Sequence, residues 1–523
     1  MVRRRIIALL AAMSIAGGGL AACGSDDPTD YITASGSEPQ NPLLPGMTNE
    51  TGGGRVIELI YSGLVSYDAS GEPYNEVAES IESEDGQHYT IRLKQTSFAD
   101  GTPVKAQNFV RAWNYAVANS QTMEYAFEGV EGYEEGIEEL PGVQVVDDYT
   151  FTVALKQVQR DFPVQLGYQA YYPLPDVAFE DMEAFGQNPV GNGPYRVSAW
   201  THYDNIKLVP NEHYRGARQV HNDGVKFIFY ATQDAAYADL LANNLDVLES
   251  LPDSAFATYE QELEGRQVNQ PAAIFQGFVI PERLEHFSGE EGALRRRAIS
   301  RAINREQITD LIFEGTRTPA TDFTSPTIPG HSDDLPGAEV LEYDPEEARR
   351  LWAQADAISP WSGEFSLGYN ADGGHQAWVD AVTNQLRNTL GIEAVGKPYP
   401  DFKSLRDEIG NRATSGAFRA GWQADTPMLS DFLVAMYTTT GGSNDSDYSN
   451  AEVDRQVALG KAAETTEEAN EHYNLAQEQL LKDLPCIPLW YSNTVGGHSE
   501  NVSDVSFAWT SLPVMEEIRR VES

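Results

Sequence analysis

The chain has 523 residues, 28 of them proline and 44 glycine, and at about 150 residues per domain it can build three or four lobes. Its 79 acidic side chains against 36 basic ones give a net charge of -43, a field that repels phosphate backbones and excludes nucleic acid as a natural partner. Hydrophobic residues at 41% exclude a disordered chain, and two cysteines exclude a disulfide framework.

At the N-terminus, Arg3, Arg4 and Arg5 precede an apolar stretch, residues 6–20, interrupted by Gly17, Gly18 and Gly19. It is too short and too glycine-rich to span a bilayer and reads as an export signal. The stretch ends in Leu20-Ala21-Ala22-Cys23-Gly24-Ser25, which resembles a bacterial lipobox. Residues 1–22 are therefore expected to be a lipoprotein signal peptide, with Cys23 acylated. Each methylene of such an anchor contributes about 0.8 kcal/mol once buried. An ordinary export signal with an incidental cysteine is the alternative. Residues 25–30 are short and polar, as suits a tether.

Further along, alternation at Tyr89, Ile91 and Leu93 and at Phe151, Val153 and Leu155 predicts two strands. Between them, Phe109, Val110, Trp113, Ala116 and Val117 form one face of a helix. Residues 223–230 read as a strand and 234–244 as a short helix. Residues 294–313 read as one helix, with Arg295, Arg296, Arg297, Arg301 and Arg305 as a solvated basic face and docking to a permease as the lesser alternative. Asp344-Pro345-Glu346-Glu347 places a capping residue, proline and two acids at a helix start. Residues 365–398 read as a βαβ unit, and a late helix through Ala469, Tyr473, Ala476, Leu480 and Leu484 runs into a buried strand near Ile487. Cys486, in that apolar run, reads as an inert core cysteine.

Catalytic and metal signatures are missing. His202, His213 and His221 fit neither a zinc finger nor a metalloprotease spacing, and Arg196 occupies the place of the third glycine that a phosphate loop at Gly191 and Gly193 would need. Asp445, Asp447 and Ser449 begin like a calcium loop, but Gln456 stands where its last ligand must be glutamate. No serine-nucleophile elbow is present, and acids are too abundant for any pair to be diagnostic. The chain reads as an exported α/β binding protein, not an enzyme, with no cofactor and no metal.

Three segments carry a family resemblance. Phe98-Ala99-Asp100-Gly101-Thr102-Pro103-Val104-Lys105-Ala106-Gln107-Asn108-Phe109-Val110, continuing through Arg111-Ala112-Trp113, Asn188-Pro189-Val190-Gly191-Asn192-Gly193-Pro194-Tyr195, and Phe418-Arg419-Ala420-Gly421-Trp422-Gln423-Ala424-Asp425 are similar to segments of the family 5 extracellular solute-binding proteins, the oligopeptide- and dipeptide-binding lipoproteins of ABC importers. Lys105 departs from the pattern, because members usually carry a capping threonine there, so a weaker helix cap is expected. The resemblance implies a periplasmic-binding-protein-like type II fold: two α/β lobes joined by a hinge, with an extra lobe inserted near the N-terminus. Lobe I would comprise residues 23–65, 190–280 and 495–523, the extra lobe 66–189 and the ligand-closing lobe 281–494.

By the same resemblance Asp425 would bind a peptide's α-ammonium group, Arg419 a ligand carboxylate, Gly421 would admit a peptide backbone and Trp422 would wall a pocket. Each has a plainer alternative: Arg419 and Asp425 could pair with each other, Trp422 could be core and Gly421 a bulge. Tyr399, Phe402 and Arg412 could also line the cleft. The implied partners are peptides, ABC permease subunits and the membrane through the lipid anchor, with the protein monomeric on the outer face of the cytoplasmic membrane. A family fold holding another solute, such as an oligosaccharide, nickel chelate or haem, and a secreted hydrolase remain as alternatives.

Overall fold

Two strands of 13 residues each, Gln267–Val279 and Cys486–His498, lie antiparallel and carry the chain between its two halves. The structure is a computed structural model that describes residues 31–48, 50–400 and 402–521, so the export signal and Cys23 lie outside the described residues. At one end the long pair continues a sheet through Ala417–Gln423, Glu364–Asn370 and Glu393–Tyr399. At the other it continues through Val247–Leu248, Ile32–Gly36, Val225–Phe229, Asn205–Pro210 and Tyr195–Thr201. Separate hydrophobic cores form over the two ends, one around Phe278, Trp378 and Trp490, the other around Ile57, Trp113 and Tyr195. This is the type II architecture of two α/β lobes and a hinge.

The pairing of the long strands shifts register between Pro271 and Phe275, next to a proline that has no N–H to give to a ladder. Backbone groups freed there find other partners. Ala273 N–H donates to Trp509 O at 3.0 Å, Ala424 N–H donates to Ala273 O at 2.9 Å, and Ser325 Oγ donates to Ala272 O at 2.8 Å. The hinge is therefore interrupted as a ladder, with these backbone groups re-partnered outside it.

The inserted lobe is a four-stranded antiparallel sheet in the order Ala78–Glu82, His88–Leu93, Thr150–Ala154 and Val143–Asp147. Helix Ala106–Ala118 covers it, with Phe109 and Trp113 packed on Phe151 at ring distances of 5.8 and 5.6 Å. The side chain at position 105 gives this helix no cap. Only the reciprocal half of a capping box forms, Lys105 N–H donating to Asn108 Oδ1 at 2.8 Å, while Lys105 Nζ pairs with Asp148.

The local signals at residues 344–399 are realised. Asp344 Oδ1 accepts from Glu346 N and Glu347 N at the start of helix Pro345–Ile358, and parallel strands Glu364–Asn370 and Glu393–Tyr399 flank helix Gln376–Leu390. Cys486 is fully buried, and burial pushes its thiol up to about 12.

Two expectations fail. Residues 294–313 are two helices, Gly289–Arg301 and Arg305–Leu311, because Asn304 caps a new start by accepting from Gln307 N at 2.9 Å. The arginine island is not a solvated face: Arg295, Arg296 and Arg305 are 0%, 2% and 4% exposed. Arg295 pairs with Glu291 and Asp356 and lies over the rings of Trp352 and Trp361. Arg305 spends its donors on backbone oxygens of Pro488, Ser300 and Leu341, locking the helix pair to the long strand. Guanidinium forks here tie three elements together through carbonyls, which periodicity cannot reveal.

Candidate functional site

A cavity of about 880 Å³ opens between the lobes. One wall is helix Thr51–Ile60, which presents Thr51, Gly54, Arg55, Glu58 and Leu59, a single face at helical spacing. Three glycines, residues 52–54, follow Thr51 in its first turn, a poor helix opening, so outside contacts must fix it. Glu50 caps the start by accepting from Gly53 N at 2.9 Å. At the far end Arg218 donates to the carbonyls of Glu58 and Tyr61 at 2.6 and 2.7 Å, a cation placed on the negative end of the helix dipole.

The second and first signature segments buttress this helix. Gly193 N–H donates to Ile60 O at 2.8 Å, and a Cβ at Gly191 would sit 1.9 Å from that same oxygen. Asn192, buried, exchanges two 3.0 Å hydrogen bonds with the backbone of Ser62. Ala99 N–H then donates to Gly191 O at 2.8 Å, which joins the turn at 98–102 to the brace. Two of the three segments singled out in the sequence thus hold one wall of the cavity rather than lining it.

The third segment reaches the cavity only at its end. Gln423, Ala424 and Asp425 line it, where strand Ala417–Gln423 runs out. The Asp425 carboxylate receives the hydroxyls of Tyr125 and Tyr168, which contact each other at 2.7 Å. Behind it stands Asp431, whose Oδ1 accepts from Trp422 Nε1 at 2.7 Å and from Asp425 N at 3.3 Å, and whose Oδ2 accepts from Thr426 N and Oγ1 at 2.9 and 2.8 Å. Burial raises both carboxyls, and the negative charge of the neighbour raises Asp425 further. Four donors favour the charged form of Asp431 and the two tyrosine hydroxyls that of Asp425, so the two carboxyls titrate as a pair.

The remaining expected site residues lie off the cavity wall. Trp422 braces Asp431, which is neither a pocket wall nor a simple core position. Gly421 is exposed, and a Cβ there would come 3.0 Å from Phe275 O on the neighbouring strand. Arg419 does not pair with Asp425. It donates to Asn370 Oδ1 at 2.9 Å and lies over the Phe402 ring. Tyr399 bonds Glu408 and Arg412 pairs with Asp447, both away from the cavity. Asp445 and Asp447 are taken by Arg406 and Arg283. Among the described residues no three His, Cys, Asp or Glu side chains converge as metal ligands do.

Sequence reasoning missed most of the lining. Arg55 is held between Ser35 O and Glu249. Glu58 stands half-buried beside Arg218 and Tyr172, and burial pushes its carboxyl up to about 7 against the opposing pull of Arg218. Only the i, i+3, i+4 face of residues 51–59 could have pointed to it.

Residues 72–444 match the bacterial extracellular solute-binding proteins, family 5, middle region. The chain belongs to this family. Family 5 relatives with similar sequences include the oligopeptide-binding protein OppA of Bacillus subtilis, 24% identical with 88% of each chain covered. The periplasmic murein peptide-binding protein MppA of Escherichia coli is 26% identical, covering 84% of this chain and 83% of that one. Among solved structures, the unliganded open form of MppA superposes with a TM-score of 0.80 at 22% identity, covering 94% of this chain and 97% of that one. Haemophilus influenzae OppA in complex with the peptide RPPGFSPFR gives 0.72 at 23% identity, covering 95% and 100%. Family 5 proteins are extracellular solute receptors rather than enzymes, and no helix among the described residues is long and apolar enough to cross a membrane.

Proposed function

We propose that this family 5 protein is a peptide receptor that captures oligo- or dipeptides outside the cytoplasmic membrane and delivers them to the permease of an ABC importer. The observation that carries this reading is the Asp425 carboxyl, set in a cavity between two hinged lobes with two tyrosine hydroxyls and no cation among its described contacts. A peptide ammonium supplies the missing charge, and in a desolvated site such a pair is about twice as strong as a neutral hydrogen bond. Past Phe418, strand Ala417–Gln423 is paired on one side only, with Gln267–Val279, so its other edge, including Gly421, offers backbone groups to an extended ligand. Trp422 and Asp431 fix the loop that carries Asp425, and Arg419 would meet the carboxylate of a longer ligand by exchanging its bond to Asn370 for one to the ligand.

The moving bodies are lobe I, residues 23–65, 190–280 and 495–523, with the extra lobe, 66–189, and the closing lobe, 281–494. Closure about the long strands buries the ligand and creates the surface that a permease reads. Acylated Cys23 holds the receptor at the membrane. Mass spectrometry of ligands released from protein purified without denaturation is expected to return intact peptides. Sugars or metal chelates in their place, or cleaved products from an added peptide mixture, would overturn the reading.

A further inference from the structure

The charges around the cavity do not balance. Among its described lining residues, seven carboxylates face three guanidinium groups and one imidazole. The arginines are already engaged. Arg55 is bound to Glu249 and Ser35 O, Arg218 caps the helix Thr51–Ile60, and Arg317 donates to Thr316 O while lying over the Phe313 ring. Several of the acids are engaged too: Glu50 caps a helix, Asp68 closes the turn to Ser70 and Glu72, and Glu249 holds Arg55.

Glu58 differs from these. It lies on the cavity face of the helix, and its carboxylate accepts no hydrogen bond among the described residues, because Arg218 beside it donates to the Glu58 backbone oxygen instead. A half-buried carboxyl that no protein donor meets is left to water or to a ligand cation. Glu58 and Asp425 line the same cavity. Tyr168 touches Asp425, Tyr172 adjoins Glu58, and the two tyrosines bound the turn Gln169–Tyr171.

We propose that Glu58 is a second charge anchor, and that this cleft favours peptides carrying a lysine or another cationic side chain in addition to the free amino terminus. The inference rests on the peptide reading and adds to it the class of peptide. Lobe I supplies Glu58 and the closing lobe supplies Asp425, so a dicationic ligand bridges the two bodies and favours their closure.

The test is calorimetric titration of the wild type and Glu58→Gln with penta-alanine and its four single-lysine variants at positions 2 to 5. In the wild type at least one lysine peptide binds roughly tenfold or more tighter than penta-alanine, the scale of one charge-assisted pair. In Glu58→Gln that ratio collapses towards one, with penta-alanine binding in the same preparation reporting a folded cleft. Should penta-alanine binding be lost, Glu58→Asp, which keeps the charge, must retain the lysine preference. Equal binding of all five peptides by the wild type, or an unchanged ratio in Glu58→Gln, overturns this inference and leaves the peptide reading standing. Binding of none of the five overturns both.

Discussion

Replacing Asp425 with asparagine removes one charge and little else. The amide matches the carboxyl in size and still accepts from Tyr168, and the main-chain N–H of residue 425 keeps its bond to Asp431. The variant should therefore fold. Because the lost charge sits desolvated beside the charge of Asp431, its removal relieves repulsion, and the melting temperature is expected to stay level or rise. Binding changes in the other direction. A hydrogen bond to a charged group contributes about 1.5 to 3 kcal/mol, which corresponds to roughly a 10- to 150-fold rise in Kd for a peptide with a free amino terminus. Calorimetric titration at pH 8 with penta-alanine and its N-acetylated form separates the cause from general damage. The free-amine peptide loses affinity for the variant while the acetylated peptide binds both proteins alike. Affinity of Asp425→Asn for the free amine within twofold of wild type would refute the ammonium site, and an equal fall for both peptides would refute the charge argument.

Other outcomes follow from the same contacts. A carboxyl raised to about 7 keeps its proton below that pH, so the unliganded site loses its negative charge on acidification; affinity for a free-amine peptide should fall from pH 8 to pH 6, towards about tenfold per unit, and a flat profile would contradict this. The Asp425→Asn variant should lack that slope. Gly191→Ala brings a methyl to 1.9 Å from Ile60 O, so urea unfolding should register a loss on the order of 3 kcal/mol or more, and an unchanged midpoint would show that the brace does not hold the helix. Asp161, in the inserted lobe, accepts from Tyr473 and Ser430 of the opposite body at 3.0 and 3.4 Å. Asp161→Ala should loosen that contact and raise the radius of gyration of the ligand-free protein in small-angle scattering, whereas identical curves would remove it as a latch.

What could be read from the sequence was what is built locally. Asp344 and Pro345 announce a helix because a cap needs only its own next turn, and residues 364–399 form a βαβ unit because their apolar periods are self-contained. The arginines at 295–305 misled because helical spacing describes one face, and their partners, Trp361, Leu341 and Pro488, come from elsewhere in the chain. The site divided in the same way. Asp425 was visible through a family segment, but Tyr125 and Tyr168 reach it from the inserted lobe, and Glu58 is one of 79 acids, marked only by its place on one helical face. The glycines at 191 and 193 were legible as part of a family segment, yet their purpose is to let one backbone touch another, a requirement written only in three dimensions.

The covalent chain passes between the two bodies twice, along Gln267–Val279 and Cys486–His498, and these strands are hydrogen-bonded to each other. A two-stranded ribbon bends across its face far more easily than it shears within its plane, since shear breaks the remaining ladder bonds and bending does not. Hinge motion of the bodies is therefore expected to centre on this ribbon, where its pairing shifts register between Pro271 and Phe275 and again between Gln276 and Gly277. One inter-body distance, followed by a pair of spectroscopic labels, is the measurement expected to report that motion, and a ligand that closes the cleft should shift it.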